Sequence, residues 1–132
     1  MNSWNDRIIS SIKYEMGDEK LAFRIATRYP NAADTEYLQN NGIELKQINY
    51  DPMNEDEAIA ALQGYDGFIV ISEPFTQRMS KALRTSIKYV CRNGIGFDSI
   101  DTAACAKNGI CVSNTSGSMD SAVAESALLL IL

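Results

Sequence analysis

The most constraining feature of this chain is an unbroken apolar run, Phe68-Ile69-Val70-Ile71, bounded by Gly67 on one side and Ser72 on the other. A strand with one face in water alternates apolar and polar residues. A run without alternation belongs to a strand buried on both faces, and that is the signature of a parallel sheet sandwiched between helices. The segments around it keep the same rhythm. Leu21 to Ala26 and Ile43 to Tyr50 read as strands before it, and Ile87 to Cys91 and Ile110 to Ser113 as strands after it. Between them lie helical stretches with recognisable ends. Ala32 to Asn41 is closed by Gly42, a favoured stop. Asn54 opens the next helix with Glu57 three residues on, an N-terminal signature, and Ala58, Ile59, Ala61 and Leu62 form its apolar face before Gly64. Thr76 caps a helix carrying Met79 and Leu83. Asp98 is expected to cap another that runs through Ala103, Ala104 and Cys105 to Asn108-Gly109. Strands alternating with helices predict an α/β fold, a doubly wound, flavodoxin-like parallel sheet of about five strands in three α/β/α layers.

The 132 residues suit one such domain. Apolar residues make up 45% and charged residues 22%, as in a globular protein. The net charge of -5 and the absence of any basic cluster longer than a pair argue against nucleic acid or an anionic membrane as partner. The longest aliphatic run, Ala127 to Leu132, is far short of the ~20 residues a membrane helix needs. There is no histidine, which excludes Ser–His and Cys–His nucleophile pairs, a histidine base and a histidine metal ligand. Cys91, Cys105 and Cys111 lack CxxC spacing and read as reduced thiols in a cytoplasmic protein, with no metal site. No signal peptide is evident in the first twenty residues, which read as an extension carrying a short amphipathic helix over Ile8, Ile9, Ile12 and Met16.

Open parallel sheets bind ligands beyond the carboxyl ends of their strands. Three loops are expected there: Thr27 to Asn31, Ser72 to Thr76 and Arg92 to Asp98. The third, Arg92-Asn93-Gly94-Ile95-Gly96-Phe97-Asp98, is the most informative. Its glycines let the backbone turn tightly and approach a ligand. N–H groups in such a turn, beside a helix start, can hold a carboxylate or phosphate, and Arg92 adds a planar fork of donors. An ordinary strand-to-helix turn fits the same spacing. A dinucleotide fingerprint does not, because Ser99 stands at the third glycine position. In Ser72-Glu73-Pro74, Ser72 points to the same edge, and Glu73 reads as a solvated loop carboxylate. A receiver or flavodoxin module is disfavoured. Ser72 stands where a receiver has an acid, and Thr27-Arg28-Tyr29-Pro30 is no hydroxyl-rich phosphate loop.

The stretch from Arg92 to Asp101, followed by Ala103-Ala104, Asn108-Gly109-Ile110, Asn114-Thr115 and Ala122-Val123-Ala124-Glu125, resembles the D-isomer-specific 2-hydroxyacid dehydrogenases, phosphoglycerate dehydrogenases among them. The likeness is dense from about Gly64 onward and loose before it. It implies the N-terminal substrate-binding half of a two-domain, NAD-dependent enzyme that interconverts a D-2-hydroxy acid and its 2-keto acid. Residues 21–121 would be the flavodoxin-like domain, and 122–132 the start of a crossover helix toward an NAD-binding domain. The family's catalytic Arg, Glu and His would then lie beyond Leu132, so no catalytic residue is expected here. The resemblance implies substrate binding by Ser72, Arg92, Gly94, Ile95 and Gly96, and cofactor contacts from Ile95 and Val123. Many members carry Arg where this chain has Ile71, and Pro where it has Ser116. The expected partners are a small 2-hydroxy or 2-keto acid and a second copy of the chain, bound through the apolar C-terminal helix. A stand-alone, non-catalytic acid-binding or regulatory domain is the competing reading.

Overall fold

The computed structural model describes residues 23–132. The extension to residue 20, with its expected helix, lies outside the described residues, as does Leu21. The elements alternate as β1 (Phe23–Thr27), α1 (Ala32–Asn40), β2 (Ile43–Gln47), α2 (Glu55–Leu62), β3 (Gly67–Val70), α3 (Gln77–Leu83), β4 (Tyr89–Arg92), α4 (Thr102–Lys107), β5 (Cys111–Asn114) and α5 (Asp120–Ile131). The five strands form one sheet in the order β2-β1-β3-β4-β5, and every neighbouring pair is parallel. This is the predicted doubly wound arrangement. The chain travels outward from β1 to β2, then returns past β1 to β3 and continues the other way. Its direction therefore reverses between β1 and β3.

The apolar run behaves as its sequence demands: all of β3 is buried. Phe68 and Val70 join Ala26 and Val90 under Ala58 and Leu62 of α2, Met79 and Leu83 of α3 and Cys105 of α4. Ile69 faces the other way, with Ile25, Leu45, Tyr89 and Cys91, and Leu38 of α1 covers that side. Gly67 lies close under its neighbour: a Cβ there would sit 3.3 Å from the Phe23 ring, which would have to give slightly.

The helix starts follow local capping chemistry. Asn54 accepts the N–H groups of Asp56 and Glu57, while Glu57 reaches back to the Asn54 amide and the Asp51 N–H. Thr76 accepts from the Met79 N–H. Asp98, however, is not a cap. The helix begins later, and Asp101 accepts the Ala104 N–H at 2.9 Å. The reason is a pairing between loops: the Phe75 N–H donates to the Ser99 carbonyl and the Asp101 N–H to the Phe75 carbonyl, while residues 98–99 form a turn closed by the Ile100 N–H on the Phe97 carbonyl. The late strands also start later than expected. Ile87 is spent closing α3 through its N–H to Leu83, and Ile110 closes α4 through its N–H to Cys105. β2 ends early, at Gln47, and Tyr50 turns into the core beside Phe68.

Candidate functional site

The carboxyl ends of the strands carry a continuous rim of loops that are tied to one another. The turn after β4 is anchored at Gly94, whose N–H donates to Thr115 Oγ1 at 2.8 Å and whose carbonyl accepts the Thr115 N–H at 3.1 Å. Thr115 is buried, and Asn114 adds a bond from its side-chain amide to the Ile95 carbonyl at 2.9 Å. Gly94 has φ of +143°, a conformation that favours glycine. Past this anchor the chain turns outward. Ile95, Gly96 and Phe97 are exposed, and the N–H groups of Ile95 and Gly96 meet no acceptor among the described residues. Of the three residues expected to bind a carboxylate through backbone, Gly94 thus has its donor engaged within the fold, while Ile95 and Gly96 present theirs to solvent.

Arg92 ends β4 half-buried. Its guanidinium bonds the Asn93 carbonyl and lies over Gly94, so that a Cβ on that glycine would sit 2.7 Å from Arg92 Nη1. It has no acidic partner among the described residues. Ser72 is exposed on the neighbouring loop, which backbone bonds between Phe75 and the Ser99–Asp101 stretch fasten to the turn after β4. Four of the expected residues, Ser72, Arg92, Ile95 and Gly96, therefore lie on the same edge and on linked loops. Val123 lies apart on α5, which has no buried residue. Between β1 and β3, where the chain direction reverses, is a cleft of about 40 Å³ lined by Thr27, Tyr29, Asn31, Ile69, Ile71 and Asn93. Ile71 gives this cleft an apolar wall.

Glu73 departs from its expected solvated role: it is 2% exposed. Its Oε2 accepts the N–H groups of Ile71 at 2.7 Å and Ser72 at 3.0 Å. Its Oε1 lies 3.6 Å from Arg28 Nη1. The Arg28 guanidinium stacks between Tyr29 and Tyr50, at 5.2 and 5.3 Å from their ring centroids. Arg28 Nε, Tyr50 Oη and Glu73 Oε1 are buried without hydrogen-bond partners among the described residues. Burial, and then the Glu73 charge, push the Tyr50 phenol up, so it remains a protonated donor. Sequence reasoning passed over this cluster and over Thr115. A charged residue in the loop after each of two strands, Arg28 directly after β1 and Glu73 three residues past the end of β3, was the available signal.

None of Cys91, Cys105 and Cys111 forms a disulfide, and no group of His, Cys, Asp or Glu side chains among the described residues could hold a metal. No helix of the described residues is long and apolar enough to cross a membrane.

A parallel sheet in this order sets the glycine turn, with its open N–H groups, at the carboxyl edge, where open α/β sheets receive their ligands. Residues 24–127 match the catalytic domain of the D-isomer specific 2-hydroxyacid dehydrogenases, and the chain belongs to that family. Among similar proteins, 4-methyl-2-oxopentanoate reductase A of Aspergillus oryzae is 26% identical over 106 residues, which are 80% of this chain and 29% of that one. The NAD+-bound 3-phosphoglycerate dehydrogenase of Entamoeba histolytica superposes with a TM-score of 0.70 at 28% identity, over 84% of this chain and 38% of that one. A Salmonella D-lactate dehydrogenase shares the fold, with a TM-score of 0.65 at 22% identity over 83% of this chain and 34% of that one. The chain thus spans between 29% and 38% of the length of these relatives.

Proposed function

We propose that this domain binds the carboxylate of a small 2-hydroxy or 2-keto acid on the open N–H groups of Ile95 and Gly96. It would do so as the substrate-binding half, residues 21–121, of an NAD-dependent D-2-hydroxyacid oxidoreductase. The observation that carries the reading is the division of labour in the turn after β4. Gly94 is locked to Thr115 under the Arg92 guanidinium, and the two following N–H groups are left facing solvent. Backbone donors fixed in this way bind an anion without first being reorganised. Arg92 supplies the positive charge, and Ser72 stands on the adjoining loop. The substrate would be 3-phosphoglycerate or a similar small acid. The Entamoeba relative is named for the phosphorylated acid and the Aspergillus relative for a branched keto acid. Ile71, an apolar side chain where a phosphate-binding cation is common in the family, favours the less charged end of that range.

Ile95 and Val123 are 49% and 59% exposed, and apolar side chains in that state fit the wall a nicotinamide ring requires. When bound, NAD would supply the hydride chemistry. The residues of this chain would hold and orient the acid, while α5, from residue 122 onward, would lead toward the nucleotide-binding domain. A second copy of the chain is the proposed partner of α5, and the three thiols, none in a disulfide, fit a cytoplasmic protein.

The test is an NMR titration of the 15N-labelled chain with pyruvate, glyoxylate and hydroxypyruvate. The amides of Ile95 and Gly96 are expected to shift most, and Gly94 less. Shifts that spare this turn would overturn the assignment. In parallel, the purified chain should consume no NADH with any of these acids, because it holds no histidine and no catalytic group at the turn. Turnover that follows the protein through purification would contradict the substrate-half reading.

A further inference from the structure

The cleft at the reversal point has two walls. Thr27 and Tyr29, from the end of β1, form one, and Ile71, from the end of β3, contributes to the other. Each wall has a charged residue beside it in sequence. Arg28 lies between Thr27 and Tyr29, and Glu73 follows Ile71 and Ser72. These two charges meet across the sheet edge at 3.6 Å. The Glu73 carboxylate also takes the N–H groups of Ile71 and Ser72, which no strand ladder satisfies because β3 has ended at Val70. A carboxylate this deeply buried persists only where it is paired and hydrogen-bonded. Here its two oxygens do different things: Oε2 fixes a backbone turn, and Oε1 faces the cation from the other wall.

We infer that Glu73 is a positioning residue. Held by Arg28, it sets the Ile71–Ser72 turn, and so places the Ser72 side chain and the Ile71 wall against the acid bound at Ile95 and Gly96. This inference rests on the proposed function for the identity of the ligand, but the clasp itself is a property of the chain without ligand. Its hydrogen bonds do not saturate it. Arg28 Nε, Tyr50 Oη and Glu73 Oε1 retain unused bonding capacity in the buried region. The coupling between the walls is therefore carried by charge and by the stacking of Arg28 on Tyr29 and Tyr50. A substitution that keeps shape but removes charge should release it.

The experiment compares the full chain with Glu73→Gln, Arg28→Gln and Arg28→Lys, using pyruvate as the probe. In Glu73→Gln the amide oxygen still accepts the two N–H groups, but the charge opposite Arg28 is gone. Arg28→Gln removes the other charge, and Arg28→Lys restores it. Amide hydrogen exchange at Ile71 and Ser72 is expected to quicken in both glutamine variants and to recover in Arg28→Lys, with the core amides of Phe68 and Val90 unchanged. On adding pyruvate, Ser72 should lose its shift response in the glutamine variants while Ile95 and Gly96 keep theirs. Wild-type exchange and response at Ser72 in both glutamine variants would overturn the inference. So would loss spread evenly over the core amides, which would mark Glu73 as a structural group only. If pyruvate leaves Ile95 and Gly96 of the wild type undisturbed, the proposed function fails, while the exchange rates at Ile71 and Ser72 still judge the clasp.

Discussion

Gly94 and Gly96 occupy the same turn, and the structure assigns them opposite tolerances. At Gly94 a side chain meets both a φ of +143° and the Arg92 guanidinium; at Gly96 a Cβ would meet nothing within 4 Å. Gly94→Ala should therefore cost about 1–3 kcal/mol, the range for a side chain forced into such a conformation. Gly96→Ala should stay within about 0.5 kcal/mol of the wild type. Urea denaturation of both variants checks this, and equal losses would mean that the turn is not built as described. The thiol of Cys91 gives a second residue-scale test. Burial raises its pKa from 9.0 to about 11. The unfolded chain then releases this proton at a lower pH than the folded one does, so stability is full below pH 9 and falls between 9 and 11. The two-unit difference corresponds to roughly 2–3 kcal/mol. Cys91→Ala should lessen that alkaline slope in denaturation midpoints, with the rest left to Cys105, which burial raises to about 11 as well. At this scale the sequence was legible where conformation is local, as at the glycine turn. It was not legible at Glu73, whose burial depends on Arg28, a partner distant in the chain.

The elements show which signals are local and which are not. Asn54, Thr76 and Gly109 mark helix boundaries through bonds to residues within one turn, and each was readable from neighbouring residues alone. Asp98 was misleading because Asp98 and Asp101 are equally good caps by type. What decides between them is the pairing of Phe75 with the Ser99–Asp101 backbone, a contact between different loops. The same explanation covers β4 and β5. β4 is buried over Tyr89–Cys91 and shows no alternation, so nothing in Ile87 to Arg92 tells which residues enter the ladder and which close the preceding helix; at the half-buried edge strand β5 it is the Ile110 N–H bond to Cys105 that decides. The capping correction is testable. Asp101→Ala should lower stability by about 1 kcal/mol, and Asp98→Ala, at an exposed site, should change it by less than about 0.5 kcal/mol. Thermal or chemical denaturation of the pair is sufficient, and the reverse ranking would restore Asp98 as the cap.

At the scale of the whole molecule, the sheet order and the location of the cleft followed from the alternation of strands and helices, because right-handed crossovers leave few arrangements. What α5 rests against did not follow. Its side chains Leu128 to Leu132 cannot share one face, since successive residues project ~100° apart. In the structure Leu129 is 76% exposed, Leu130 89% and Ile131 81%. A monomer that leaves such a helix in water forgoes roughly 1.5–3 kcal/mol for each large aliphatic side chain it could bury. Pairing α5 with the same helix of a second copy would cover several side chains on each partner through an isologous contact. The cost of association is of order 4–15 kcal/mol. Two or three such side chains from each copy supply an amount that overlaps that range, so the expected dimer is concentration-dependent rather than permanent. Sedimentation velocity of the full chain should show a boundary moving from monomer toward dimer as concentration rises into the high micromolar range. Leu129→Glu and Ile131→Glu should hold it at the monomer with an unchanged circular dichroism spectrum. A wild type that remains monomeric across that range would refute self-association through α5, and the helix would then have to fold back over the exposed edge beside β5.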